Sequence, residues 1–183
     1  MAIVYDKDFF RMMLRADLEK WIKDNYDNLI GSTIFTKNNS LTSKIVSWAQ
    51  KIHDKSKDNF IPSHTASIVE KDGELYLFDM KPPKASIQPL FKYLYTSKDE
   101  FVLVLRNYPL DTFMFSRNLL YHVGELYPYL SAIRSVFTKR QTKWVNHCSE
   151  IYARELDRQG FKFPKGFNLE CTPNELLNVL KDI

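Results

Sequence analysis

One cysteine and one histidine in this chain occupy positions from which a thiol nucleophile and its base could work together. Cys148 lies in Lys143-Trp144-Val145-Asn146-His147-Cys148-Ser149-Glu150-Ile151-Tyr152, where a helical pattern begins. A thiol at a helix N-terminus meets free backbone N–H groups and the positive end of the helix dipole, and both favour thiolate. His64 opens the alternating run His64-Thr65-Ala66-Ser67-Ile68-Val69-Glu70, which sets it at the end of a strand on a rigid sheet. Thiolate beside imidazole is the skeleton of a cysteine hydrolase or acyltransferase. The two residues stand 84 positions apart, so only the fold can join them.

The elements that must position them are legible in outline. Residues 6–28 read as a helix, with Asp6 or Asp8 as cap and Phe10, Met13, Leu14, Leu18, Trp21, Ile22 and Tyr26 at steps of three and four. Gly31 to Thr36 reads as a short strand, and Ser40 caps a helix with Leu41, Ile45, Trp48, Ala49 and Ile52 on one face. Asp54 to Pro62 is a charged loop. Ser63 to Glu70 and Glu74 to Asp79 are β-rich runs joined by Lys71-Asp72-Gly73, a hairpin signature. Pro82-Pro83 ends the second run, and Phe101 to Arg106 supplies a further strand. Asp111 caps a helix carrying Phe115, Leu119, Leu120 and Val123. It is interrupted near Gly124 or Pro128 and resumes through Ala132, Ile133 and Val136. Cys148 to Gln159 is a helix closed by Gly160, and Thr172 caps a last one over 173–180. Strands and helices mix without a βαβ rhythm, so the expected class is α+β with an antiparallel sheet packed against helices.

Composition narrows the function classes. The 183 residues suit one domain with one substantial core. The net charge of +4 is mild. Its basic clusters, Lys51-Lys55-Lys57 and Lys139-Arg140-Lys143, lack the interleaved stacking aromatics of a nucleic-acid surface, so no nucleic-acid partner is expected. Two cysteines are too few for a disulfide scaffold, which points to reduced thiols. Residues 1–8 carry no apolar signal core, and no run approaches the ~20 apolar residues that span a bilayer. A cytoplasmic location, or a place in a virus particle if the source is viral, is the expectation, with no transmembrane segment. No Cys-x-x-Cys or His-x-x-x-His spacing occurs, so a zinc site would need scattered ligands, and no metal or cofactor is expected.

The order of the pieces resembles a known family. A strand at Gly31-Ser32-Thr33-Ile34-Phe35, then Ser40-Leu41, Ser63-His64-Thr65-Ala66-Ser67-Ile68-Val69, Phe78-Asp79, Cys148-Ser149-Glu150-Ile151-Tyr152 and Thr172-Pro173-Asn174-Glu175-Leu176 follow one another in one chain. This is similar to the circularly permuted papain-like amidases, the bacterial and poxviral relatives of NlpC-type cell-wall peptidases and of lecithin:retinol acyltransferase. That branch places histidine before cysteine, as here. The resemblance covers residues 31–180 and leaves the 6–28 segment as an N-terminal addition. It implies a permuted papain-like fold and a Cys148–His64–Asp79 triad acting on a cell-wall peptide or a lipid-linked amide or ester. Three departures stand out: Ser32 replaces the family's usual aspartate, His147 its usual aromatic before the cysteine, and Asp79 its frequent glutamate.

Each role has an ordinary alternative. A free cysteine commonly packs as a small hydrophobe, a strand histidine can bond to a loop, and a carboxylate ending a strand can be a mere cap. In the functional reading Cys148 attacks, with its own N–H as one oxyanion donor. His64 moves the proton, and Asp79 orients the imidazole. His147 is a cleft-lining candidate, His53 and His122 are surface residues, and Cys171 packs. Trp48, Tyr93 and Tyr152 are the aromatics on matching elements that a cleft would use. Three function classes follow: a cysteine amidase or peptidase-like hydrolase, an acyltransferase with the same triad, and a papain-fold binding or virion-associated protein whose triad is vestigial.

Overall fold

At the centre of four strands, two adjacent residues are both apolar: Ile34-Phe35, Ile68-Val69, Leu77-Phe78 and Leu103-Val104. All eight are buried. Because side chains alternate along a strand, such pairs demand cover on both faces of a sheet. The computed structural model describes residues 2–37, 43, 44, 47, 48, 60–126 and 148–182, and it supplies that cover.

Among the described residues six strands form one antiparallel sheet: β1 (Val4–Asp6), β2 (Thr33–Lys37), β3 (His64–Lys71), β4 (Glu74–Lys81), β5 (Lys84–Pro89) and β6 (Glu100–Val104). Their spatial order is β1-β6-β2-β3-β4-β5. On one face lie α1 (Lys7–Arg11), α2 (Arg15–Asp24), α3 (Tyr26–Leu29) and α4 (Leu90–Thr96). There Phe10, Leu18, Leu29, Leu90 and Leu94 pack on Ile34, Ile68, Leu77 and Leu103. On the other face lie α5 (Thr112–Tyr121), α6 (Cys148–Arg158) and α7 (Pro173–Lys181). Phe115, Tyr152, Leu156, Leu176 and Leu180 close over Phe35, Val69, Phe78 and Val104. Each such side chain contributes about 1.5–3 kcal/mol when fully removed from water. The fold is α+β with an antiparallel sheet, as expected from the sequence. None of the helices described is long and apolar enough to cross a membrane.

The hairpin forms where the sequence marks it. Lys71 pairs with Glu74, and Asp72 and Gly73 occupy the two-residue turn at φ 54° and 79°, the conformation that favours Asp-Gly. Asp111 accepts from the Met114 N–H at 2.9 Å to start α5. Thr172 and Glu175 exchange side-chain and backbone bonds as a capping box for α7.

One expectation needs correction, and two elements go beyond the sequence reading. Residues 6–28 are not one helix. Val4–Asp6 pairs with β6, Asp6 then caps α1, and the path breaks at Met12–Leu14 and again at Asn25. Met12 and Leu14 turn outward, 80% and 74% exposed. No glycine or proline marks the break, so the apolar periodicity runs through it unbroken. Pro82-Pro83 ends β4 but does not end the sheet: Lys81 pairs with Lys84, and the chain returns as β5. The helix α4 follows, unannounced by a side-chain cap. Several readings lie outside the described residues: most of the Ser40 helix, the basic clusters at 51–57 and 139–143, residues 54–59 of the charged loop, and the continuation through Ala132, Ile133 and Val136.

Gly31 ties the two faces together. Its φ is +82°, and a Cβ there would lie 2.3 Å from Leu110 Cδ2 and 3.1 Å from Arg106 Cδ. Arg106 fixes this corner by donating to the carbonyls of Ile30 (2.7 Å), Asp27 (2.6 Å) and Tyr108 (2.7 Å). Gly160 also has positive φ but nothing within 4 Å of an added Cβ. Gly31→Ala is therefore expected to cost more than Gly160→Ala in urea unfolding. The backbone alone accounts for about 1–3 kcal/mol in each, and crowding adds to it only at residue 31.

Candidate active site

The ladder between β3 and β4 decides which side chains can meet. Ala66 stands opposite Asp79, so His64, two residues before Ala66, lies diagonally across from Asp79 on the same face. The contact is made: His64 Nε2 sits 2.6 Å from Asp79 Oδ1. The start of β3 is itself held, because the Ser63 N–H donates to Thr36 O at 2.9 Å and Ser63 Oγ meets Ser43 Oγ at 2.5 Å. The Asp79 side chain keeps only 5% of its surface exposed, and its second oxygen lies 2.5 Å from Lys81 Nζ.

Cys148 is the first residue of α6 and is buried. Its thiol interacts electrostatically with the His64 imidazole. With Nε2 engaged by Asp79, the ring nitrogen left for sulfur is Nδ1. The backbones of Ser149 and Thr65 also favour the ionised sulfur.

Electrostatics follow from these contacts. Burial pushes the Cys148 thiol up, but the imidazole and the two backbones outweigh it and hold the thiol below its ordinary value. Burial disfavours protonated His64, yet the negative charges of Cys148 and Asp79 raise its proton affinity well above the usual histidine range. Burial likewise works against ionised Asp79, and His64 and Lys81 together reverse the effect and lower its pKa. The arrangement favours thiolate and imidazolium side by side, with a carboxylate behind.

The helix that carries Cys148 is anchored at several points. Ser149 Oγ donates to Cys171 O at 2.5 Å. Tyr152, one turn beyond Cys148, donates to Gly31 O at 2.5 Å, and its hydroxyl lies 2.9 Å from that of Tyr108. Asn118 on α5 donates to the buried Glu155 at 2.9 Å. Ser32 accepts the Arg106 N–H at 2.9 Å and donates to Asn28 O at 2.6 Å. Its role there is to brace the corner before β2.

The remaining candidates separate clearly. Cys171 is buried in the core, where burial and the Glu175 carboxylate push its thiol upward. His122 pairs with Glu125 at 2.9 Å on α5's end. Tyr93 packs on Phe101 with ring centroids 5.5 Å apart, and Tyr152 is 1% exposed, so both belong to the core clusters. Trp48 is 60% exposed. His53 and His147 lie outside the described residues. Among the described residues no group of three or more His, Cys, Asp or Glu is placed to hold a metal ion. Lys81 escaped the sequence reading. A lysine two residues beyond Asp79 on one strand was the available signal. Comparison with protein-family models and with curated proteins finds no match.

The two thiols should differ sharply in reactivity. An ordinary thiol of pKa about 8.5 is only about 0.3% thiolate at pH 6; burial pushes the Cys171 thiol up, while His64 draws the Cys148 thiol down. Iodoacetamide at pH 6 is expected to alkylate Cys148 well ahead of Cys171 in the folded protein, read by peptide mass spectrometry. Equal labelling, or Cys171 first, would contradict the electrostatics.

Proposed function

We propose that this protein is a cysteine hydrolase of the amidase or peptidase-like kind, working through Cys148, His64 and Asp79. The observation that carries the reading is one half-buried imidazole that bonds a buried carboxylate and interacts electrostatically with a buried thiol at a helix start. Three titratable groups in that order match the needs of acyl transfer, and a packing role for Cys148 would require none of them.

In this mechanism the Cys148 thiolate attacks an amide or ester carbonyl, while His64 carries the proton on Nδ1. The oxyanion is met by the Cys148 N–H at the start of α6. As the tetrahedral intermediate collapses, Nδ1 gives its proton to the leaving nitrogen or oxygen, and a thioester remains on Cys148. Water, deprotonated by the now neutral imidazole, attacks the thioester and releases the acid. Asp79 stays ionised throughout, accepting the Nε2–H and fixing the tautomer. The resemblance to permuted papain-like amidases suggests a cell-wall peptide or a lipid-linked amide or ester as substrate.

Incubation with an activated ester such as p-nitrophenyl acetate tests the reading without the natural substrate. An acetyl group should accumulate on Cys148, vanish in Cys148→Ala, and form about 10²–10⁴-fold more slowly in His64→Ala. Acetylation elsewhere, or unchanged rates in both variants, would overturn the proposal. Circular dichroism of both variants checks that the fold is kept.

The pH profile offers a second check. The acid limb is set by deprotonation of Cys148 and the alkaline limb by loss of the His64 proton. Asp79→Asn removes a negative charge that favours imidazolium, so the alkaline limb should move to lower pH and turnover should fall about tenfold or more. Asp79→Glu keeps the charge and should be the milder change. An alkaline limb that stays in place in Asp79→Asn would remove Asp79 from the mechanism.

A further inference from the structure

We propose that Lys81 is a positioning residue of this site, whose ammonium holds Asp79 Oδ2 and thereby limits how tightly the carboxylate grips the His64 imidazolium. The inference deepens the hydrolase reading and rests on its assignment of His64 as the proton carrier.

The geometry comes from the strand itself. Asp79 and Lys81 are two residues apart on β4, so both side chains leave the same face. Asp79 divides its two oxygens between two cations, with Oδ1 at 2.6 Å from His64 Nε2 and Oδ2 at 2.5 Å from Lys81 Nζ. The acceptor is 5% exposed while the Lys81 side chain is 50% exposed. An exposed ion pair adds little to stability, but a carboxylate out of water with one cation on each oxygen is fixed in plane and in charge. Among the described residues, the other titratable groups that bear on the pair are Cys148 from α6 and Tyr93 from α4. The Tyr93 phenol, kept protonated by burial, feels the charges of Asp79 and Asp99.

The consequence is chemical. A general acid works best when its proton affinity lies near the working pH. Thiolate on one side and carboxylate on the other both strengthen the hold of His64 on its proton. Lys81 opposes them: its positive charge lies just beyond the carboxylate and makes the imidazolium more willing to release the Nδ1 proton to the leaving group. The proton passes from Nδ1 to the leaving atom, the imidazole becomes neutral, and Asp79 and Lys81 keep their charges.

The test is an NMR titration of the His64 Cε1–H resonance in the full chain carrying Cys148→Ala, which removes the thiolate's contribution. His64→Gln assigns the signal among the chain's four histidines. Adding Lys81→Met should raise the His64 midpoint by about half to one pH unit, and adding Lys81→Arg should leave it near its starting value. Lys81→Gln serves if the methionine variant does not fold. A midpoint that is unmoved or lowered without the lysine charge would overturn the proposal. Its failure is separable from that of the hydrolase reading. Selective alkylation of Cys148 with an unmoved His64 midpoint rejects Lys81 alone, and a raised midpoint without selective alkylation supports Lys81's hold while rejecting the nucleophile.

Discussion

A carboxylate buried against an imidazole is the constraint around which this structure is arranged. An ionised carboxyl group removed from water is costly unless charge and hydrogen bonds replace the solvent. Asp79 obtains both from His64 and Lys81. The arrangement requires the β3–β4 register to be held to the residue, since a slip of one would turn Asp79 to the opposite face from His64. The Asp72-Gly73 turn pins that register at one end. At the other, the bonds of Ser63 to Thr36 and Ser43 hold the first residue of β3 in line.

The thiol is brought to the imidazole by a different set of contacts. Tyr152 reaches across the sheet to Gly31, the Arg106 guanidinium holds the carbonyls around that glycine, and Ser149 fastens the start of α6 to the segment before α7. Cys148 therefore rides on a helix tied down within one turn of the sulfur. Precision of this kind matters because the thiolate and imidazolium stabilise each other only while in contact.

Much of this was legible in the sequence, and the gaps have physical causes. The Asp-Gly hairpin, the Asp111 and Thr172 caps and the helix opening at Cys148 are local signals, each written in a few adjacent residues. So were the three candidates themselves, His64, Asp79 and Cys148, which the fold brings into one cluster. The first strand was hidden because Val4-Tyr5-Asp6 is too short to show an alternation, and it is recruited by pairing with β6. The break at Met12–Leu14 was hidden because the apolar spacing continues through it. The return strand after Pro82-Pro83 was missed because a proline pair reads equally well as an end or as a turn. Lys81 looked like one surface lysine among many, and only the cross-strand placement of Asp79 gives it a partner.

The central claim is that Cys148 rests as a thiolate beside a protonated His64. Thiolate absorbance at 240 nm, followed from pH 4 to pH 10 as the difference between the natural chain and Cys148→Ala, reads this state directly. The account predicts a transition below the ordinary thiol range, moving up toward it in His64→Ala. A transition within or above that range in the natural chain, unchanged in His64→Ala, would contradict it.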